Sequence, residues 1–500
     1  MTSSGNPGFD VVVVGGGPAG AVMADRLTAD PGCSVLLIEA GPDYGGDSAT
    51  WPVDLLYTEE QPLTSHSWGL HDAGNGMFLP RARVLGGSST VNACYWIRGS
   101  ASDYDEWESL GNSGWSFDSL LPYFRKAESD PIGGPLHGDS GPVEVMRAER
   151  WSPGDMAFTE SAVSLGLAQV GDINGDREQF PSVGPAPRNI VGGHRLNAAL
   201  SYLAPARRRP NLAIRPDTLV DRVRFVGERV VGVVDSQGVE IDAGMVVLAA
   251  GAYFTPGILN RSGLGKAEDL ESLGIPVRQH LPGVGENLLD HPFAIGVAAG
   301  VLAPKAEPGE QTQGQTMVRG RAGGADAEVD FHVYNGQNLD AESGRWIIGL
   351  GVSMVNARSM GTVALSSADP MVLPRVEHMH YSDSSDLERM CDGVELALEM
   401  FGSGPLAAIV DPLPTEWKWD DRETLRALLS ERSLSTNHCA GTAKMGPASD
   451  PLAVVDGSGR VHGAEHLLVA DSSVFPTLPR GNIHFPVVAV AEKIAAGLNR

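Results

Sequence analysis

Apolar positions along the chain fall into short clusters whose spacing changes from segment to segment. In FDVVVVGGGPAGAVMADRL (9–27), Val11 to Val14 form an unbroken apolar run just before a glycine triplet. Such a run suits a parallel strand covered on both faces, followed here by a glycine turn and a helix. A second apolar strand, SVLLIE (34–39), ends at Glu39. Between 205 and 250 the pattern changes. LAIRP and DRVRFVGERVVGVVDSQGVEIDAGMVVLAAGA alternate Val, Arg and Phe, which predicts a small hairpin system returning to the first sheet. Further strands are expected at EVDFHVY (328–334), WIIGLGVSMV (346–355) and TVALSS (362–367). A helix is expected at SDLERMCDGVELALEMF (385–401), with Leu387, Cys391, Val394, Leu396 and Leu398 at helical spacing. PKAEPGEQTQGQTMVRGRAGGA (304–325) is polar and glycine-rich and reads as an exposed loop. Strands followed by helices predict a mixed sheet with helices against one face.

Composition narrows the picture. At 500 residues the chain exceeds one ordinary core, so two domains are expected. It has no apolar run of about 18 residues, the minimum for a spanning helix. MTSSGNPGFD has neither a basic nor an apolar segment of the kind that marks a secretory signal. The net charge of -25 opposes bulk electrostatic binding to nucleic acid or anionic membrane and suits a cytoplasmic protein. Cys33, Cys94, Cys391 and Cys439 form no CxxC, so reduced thiols are expected. Cys439 next to His438 is read as a buried free cysteine rather than a nucleophile.

The glycine triplet carries the first chemistry. Gly15, Gly17 and Gly20 form GxGxxG. Gly15 allows the tight turn, Gly17 lets backbone approach a pyrophosphate, and Gly20 lets helix and strand pack closely. The helix N-terminus favours phosphate, and Glu39 suits ribose hydroxyls. The motif alone does not separate FAD from NAD. In PRARVLGGSSTVNACYWIRG (80–99), Gly86, Gly87, Ser88 and Ser89 precede Asn92. Small residues there let backbone amides reach a flat ligand, and Asn92 adds a donor and an acceptor.

Over nearly its whole length the chain resembles the glucose–methanol–choline (GMC) family of FAD-dependent oxidoreductases. The resemblance rests on VLGGSSTVN (84–92), DYDEW (103–107), GWSFDSLLPYF (114–124) and GAYFTPGILNRSGLG (251–265), the last with Thr255, Pro256, Ser262 and Gly263. LPGVGENLLDH (281–291), NHCAGTAKMG (437–446), VVDGSGRVHGAEHLLVADSSVFP (454–476) and NIHFPVVAVAEKIA (482–495) extend it. It implies an α/β fold: a Rossmann-like FAD-binding domain from 1–155, 205–297 and 438–500, and a substrate domain from 156–204 and 298–437. It implies cofactor contacts at Gly15, Gly17, Pro18, Ala19, Gly20, Glu39, Ala40, Val84, Gly87, Ser88, Asn92, Ala93, Val220 (by its backbone, to adenine), Asp471 and Phe485. Ala82 and Met360 depart from frequent glycine and arginine. Val91 stands where covalently flavinylated members have histidine, so the FAD is expected to be non-covalent.

The resemblance also implies a catalytic pair, His438 and His484. Alcohol oxidation removes a hydroxyl proton and a carbon-bound hydride, and a neutral imidazole can take the proton. That role falls to His438. His484 would hold the same oxygen, and a helix starting near Pro486 would aim its amides at the flavin's pyrimidine edge. His66, His71, His378 and His380 are read as surface or structural. No metal is expected. The substrate is read as a small neutral alcohol, and the acceptor as oxygen, a quinone or a redox protein. Family members that cleave cyanohydrins or decarboxylate fatty acids under light supply the alternative.

Overall fold

The computed structural model describes residues 8–58, 65–175, 179–306, 313–323, 328–415 and 417–498. Strand Phe9–Val14 runs through the middle of the first sheet, parallel to Val35–Ile38 on one side and to Glu240–Leu248 on the other. Both faces are covered, which is why Val11 to Val14 are all buried. Leu212–Arg215 lies beyond Val35–Ile38, and Leu467–Val469 lies beyond Glu240–Leu248, both parallel. The long strand Glu240–Leu248 serves two structures. Its second half joins the parallel sheet, and its first half pairs antiparallel with Arg229–Asp235, which pairs with Val220–Val226. The predicted hairpin system is therefore a meander anchored in the nucleotide sheet.

Helix Pro18–Leu27 follows the glycine turn and packs on the C-terminal helix His484–Leu498. The fully buried Glu492 ties the two together. It accepts from Arg26 Nε at 2.8 Å, from Lys126 Nζ at 2.9 Å and from the Tyr202 hydroxyl at 3.0 Å. The C-terminal helix begins at His484, two residues before the expected start near Pro486. A proline is tolerated in the first turn because its position needs no N–H there.

The second sheet runs in the order Val410–Pro412, Pro292–Leu302, Trp346–Met354, Phe331–Leu339, Gln313–Gly320, Ser182–Pro185 and Ala168–Gln169. It is antiparallel except at its last pair, so it is mixed, as expected. Helix Ser384–Gly402 packs against it through Met390, Cys391, Val394, Ala397, Met400 and Phe401, while Leu387, Leu396 and Leu398 are only partly buried. Two expectations need correction. The segment 304–325 is not an exposed loop throughout: Pro304, Lys305 and Gly323 are exposed, but Gln313–Gly320 is an inner strand. Its polar residues are buried because Asp155 accepts from the Gln315 N–H (2.7 Å) and the Thr316 N–H (3.2 Å). Residues 307–312 and 324–325 of that segment lie outside the described residues. TVALSS contributes Thr362–Ala364 to a separate two-stranded ribbon with Arg375–Glu377, not to the large sheet.

Each sheet has its own apolar core. One draws on residues such as Val12, Leu37, Val247, Leu468 and Val488, the other on Phe158, Val318, Phe331, Val352 and Val394.

Candidate active site

The glycine turn builds an open cradle at the start of a helix. Gly15 has φ +100°, and a Cβ there would lie 2.4 Å from the Ala249 carbonyl oxygen. Gly20 fits because a Cβ would meet the Gly15 oxygen at 1.8 Å. Gly17 differs: a Cβ there would find nothing nearer than the Gly87 Cα at 3.9 Å. Its bare surface faces open space at the start of helix Pro18–Leu27, whose first amides have no partner within the helix. Glu39 closes the other side, accepting from the Gly16 N–H (2.8 Å) and the Gly41 N–H (2.9 Å). Burial pushes its carboxyl up to about 7 against those two donors.

This cradle opens into a continuous cavity of about 1430 Å³. Gly15, Gly17, Pro18, Ala19, Glu39, Ala40, Gly87, Ser88, Asn92, Ala93, Val220 and Asp471 line it, as do His438 and His484. Gly20, Val84 and Phe485 stand behind that wall. Gly20 seats helix on strand, Val84 is fully buried, and the Phe485 ring stacks on Trp96 at 4.3 Å. Asp471 is held by the Gly251 N–H (2.8 Å) and the Thr255 hydroxyl (2.7 Å). Val91 also lines the cavity.

At the far end two imidazoles are each fixed by an asparagine. Asn92 Nδ2 lies 3.3 Å from His484 Nδ1, and Asn482 Nδ2 lies 3.3 Å from His438 Nε2. The Tyr334 hydroxyl donates to Asn482 Oδ1 at 3.2 Å, which turns the Asn482 amide N–H toward His438. His438 Nε2 therefore accepts, and its proton sits on Nδ1, 2.9 Å from His291 Nδ1. The His438 backbone N–H donates to Asp290 Oδ1 at 2.9 Å. Burial lowers His438 to about 4, with the Asp290 carboxylate pulling the other way. Burial also lowers His484 to about 4. Both rings are neutral at pH 7.

Sequence reasoning gave no role to Asn482, His291, Asp290, Tyr334 or Arg81. Arg81 donates to the Asn437 carbonyl (2.6 Å) and to Cys439 Sγ (2.8 Å). Burial pushes the Cys439 thiol up to about 11, which removes it as a nucleophile. His291 and Asn482 both sat inside quoted motifs, but only the fold brings them onto His438. His378 and His380 prove structural: His378 bridges Asp72 and Tyr253, both at 2.8 Å, and His380 reaches Asp290 at 3.2 Å.

Glu128, Asp130 and His137 cluster closely enough to suggest a metal. The charges answer otherwise. His137 contacts Asp172 at 2.8 Å, Asp130 at 3.1 Å and Glu128 at 3.3 Å, while Arg147 and Arg98 pair with the same carboxylates. Burial opposes protonation of His137, but hydrogen bonds to Asp130, Asp172 and Glu128 raise it to about 10. Three carboxylates thus face three cations. A His pKa raised above its unfolded 6.5 adds stability below that pH, lost as pH rises through about 10. His137→Ala is expected to destabilise the protein by about 3–5 kcal/mol at pH 7. Denaturant melts should show the deficit shrinking toward pH 10.

A nucleotide cradle continuous with a pair of neutral imidazoles defines a class: an oxidoreductase that keeps a dinucleotide cofactor beside the substrate it oxidises. Residues 9–293 match the N-terminal model of the GMC oxidoreductase family and residues 357–491 the C-terminal one. The chain belongs to the GMC oxidoreductase family. It is 36% identical to 5-(hydroxymethyl)furfural oxidase of Methylovorus sp. (strain MP688), covering 97% of this chain and 98% of that one. It is 34% identical to mitochondrial choline dehydrogenase of Homo sapiens, covering 97% and 89%. Its fold matches the crystal structure of pyridoxine 4-oxidase from Mesorbium loti with TM-score 0.87 and 30% identity, covering 98% and 99%. The protein is an FAD-dependent oxidoreductase acting on CH–OH donors. The bare Gly17 surface, the Glu39 carboxylate and the Asp471 side fit that cofactor. Among the described residues no helix is long and apolar enough to cross a membrane.

Proposed function

We propose that the protein oxidises a neutral alcohol to the aldehyde or ketone, with His438 as general base and His484 as the group that fixes the substrate oxygen. Support comes from one observation above all: His438, whose Nε2 is unprotonated, lines the same cavity as the nucleotide cradle. FAD would be held non-covalently in the cavity that Val91 lines and would supply the hydride acceptor. His438 Nε2 takes the hydroxyl proton as the hydride leaves. His484 donates to the same oxygen and orients the carbon-bound hydrogen. The flavin half comprises 1–155, 205–297 and 438–500, with 156–204 and 298–437 forming the substrate half, except that Tyr202 packs in the flavin-side core and strand Pro292–Leu302 lies wholly in the second sheet.

The carboxylates on the described cavity wall are Glu39, Asp217 and Asp471. Glu39 and Asp471 belong to the nucleotide cradle, and the Asp217 N–H donates to Gly41 beside it. None stands at the imidazole end to neutralise a quaternary ammonium, so the substrate is neutral rather than choline-like. The electrons pass to oxygen, a quinone or a redox protein. The net charge and the free cysteines suit a cytoplasmic location.

The test is anaerobic mixing of the holoenzyme with benzyl alcohol, 5-(hydroxymethyl)furfural, pyridoxine and choline while following the flavin's visible absorbance. Neutral alcohols should bleach it and choline should not. Bleaching by choline alone, or by none of the four, overturns the proposal. Readmitting air then separates oxygen from the other acceptors. A neutral His438 also sets a pH limb. kcat/KM should stay flat above about pH 5 and fall about tenfold per pH unit below pH 4. A midpoint near pH 6.5 would mean that His438 is not desolvated in the working enzyme.

A further inference from the structure

In the substrate sheet, strands Phe331–Leu339 and Trp346–Met354 set glycine opposite glycine: Gly336 is the register partner of Gly349. Inward of them Tyr334 faces Gly351, and outward Asn338 faces Ile347. Side chains alternate along a strand, so these pairs share one face with His332 and Ser353. The inner end of that face is tied to the catalytic end of the cavity, since Tyr334 donates to Asn482 and Asn482 reaches His438. The outer end is exposed at Asn338. At roughly 3.3 Å per residue the strip is about 13 Å long.

A glycine inside a strand weakens it and needs a reason. Gly351 has one: a Cβ would lie 2.8 Å from the Phe293 ring. So does Gly314, where a Cβ would lie 2.1 Å from the Asn335 carbonyl oxygen. Gly336 and Gly349 have neither. A Cβ at Gly336 would meet nothing nearer than the Gly349 oxygen at 3.9 Å, and one at Gly349 nothing nearer than the Ala298 oxygen at 3.8 Å. Neither has the left-handed backbone that demands glycine. Both line the cavity. What the two glycines preserve is space over a flat stretch of peptide. That stretch is uncharged, because neither strand contains Asp, Glu, Lys or Arg. It is also bordered by aromatic rings: Tyr334 lies 5.1 Å from Tyr95 and 6.4 Å from Phe293 between ring centroids.

We infer that the Gly336–Gly349 pair floors a subsite for the end of the substrate distal to its carbinol, and that this subsite takes a flat, uncharged aromatic tail. The inference rests on the reading of His438 and His484 as the carbinol site. A second ring would lie on the bare peptide face, where any Cβ would stand in its way. Preferred substrates are then primary alcohols whose first ring carries a second planar group pointing away from the reacting carbon.

The test compares the wild-type holoenzyme with Gly349→Val and with the milder Gly336→Ala, using benzyl alcohol and biphenyl-4-ylmethanol. Wild type should favour the biphenyl alcohol in kcat/KM. Gly349→Val should cut the ratio of the two kcat/KM values at least tenfold, and Gly336→Ala should cut it less. Melting temperatures should hold or rise, since both changes suit a strand better than glycine does. A ratio unmoved in both variants overturns the subsite. So does a fall in melting temperature in both, because the glycines would then be structural. Failure of the biphenyl alcohol alone to bleach the wild-type flavin also overturns the subsite, whereas failure of both alcohols would instead count against the proposed activity itself.

Discussion

His438→Ala should retain its FAD and reduce it about 10²–10⁴-fold more slowly with an alcohol substrate, the range expected for loss of a positioned general base. Burial keeps the His438 ring neutral, and its Nδ1 proton is committed to His291, so the lone pair is on Nε2, where a substrate hydroxyl would displace the Asn482 amide N–H. The His438 backbone N–H is held by Asp290 independently of the ring, so truncation does not unhook the chain. Anaerobic rapid mixing gives the reduction rate, and the visible spectrum of the purified variant gives the FAD content. A reduction rate equal to wild type would remove His438 from the mechanism. His484→Asn should fare better than His484→Ala, because an amide N–H can still hold the substrate oxygen.

Two neighbouring glycines should respond in opposite ways. In Gly20→Ala the new methyl would sit 1.8 Å from the Gly15 oxygen, so helix Pro18–Leu27 must lift from its strand. Overpacking of this kind costs about 1–3 kcal/mol or more, and it displaces the helix N-terminus from the phosphates. Gly20→Ala should therefore lower the melting temperature and lose FAD together. Gly17→Ala meets open space and keeps an ordinary backbone, φ -70°. It should melt like the wild-type apoprotein yet bind FAD at least about tenfold more weakly, since the methyl occupies the phosphates' approach. Thermal melts of apoprotein and FAD titrations separate the two effects. Equal FAD affinity in Gly17→Ala and wild type would mean that the bare surface of Gly17 is not the phosphate seat.

Local pattern made much of this readable. Val11 to Val14 predicted a doubly covered strand, and the observed strand pairs in parallel on both sides. The meander between 220 and 248 followed from its alternation. Pattern failed where burial was bought by a distant partner. Gln313–Gly320 looks like a loop because it is polar, and it becomes an inner strand because Asp155 satisfies its backbone and Thr316. The last helix starts at His484, with Pro486 in its first turn, where proline is tolerated.

The sequence by itself determined the cofactor cradle, because a tight turn, a phosphate seat and a helix N-terminus all lie within a dozen or so consecutive residues. Through resemblance it also pointed to His438 and His484. Tertiary structure alone decided the surroundings that suit His438 to the base role proposed for it. His291, Asn482 and Asp290 come from separate segments, and no spacing rule links them before the chain folds. The desolvation that lowers the two imidazoles is likewise a property of the assembled wall, not of any residue. So is the bare strip at Gly336 and Gly349: it exists only because the register of two strands sets one glycine against the other.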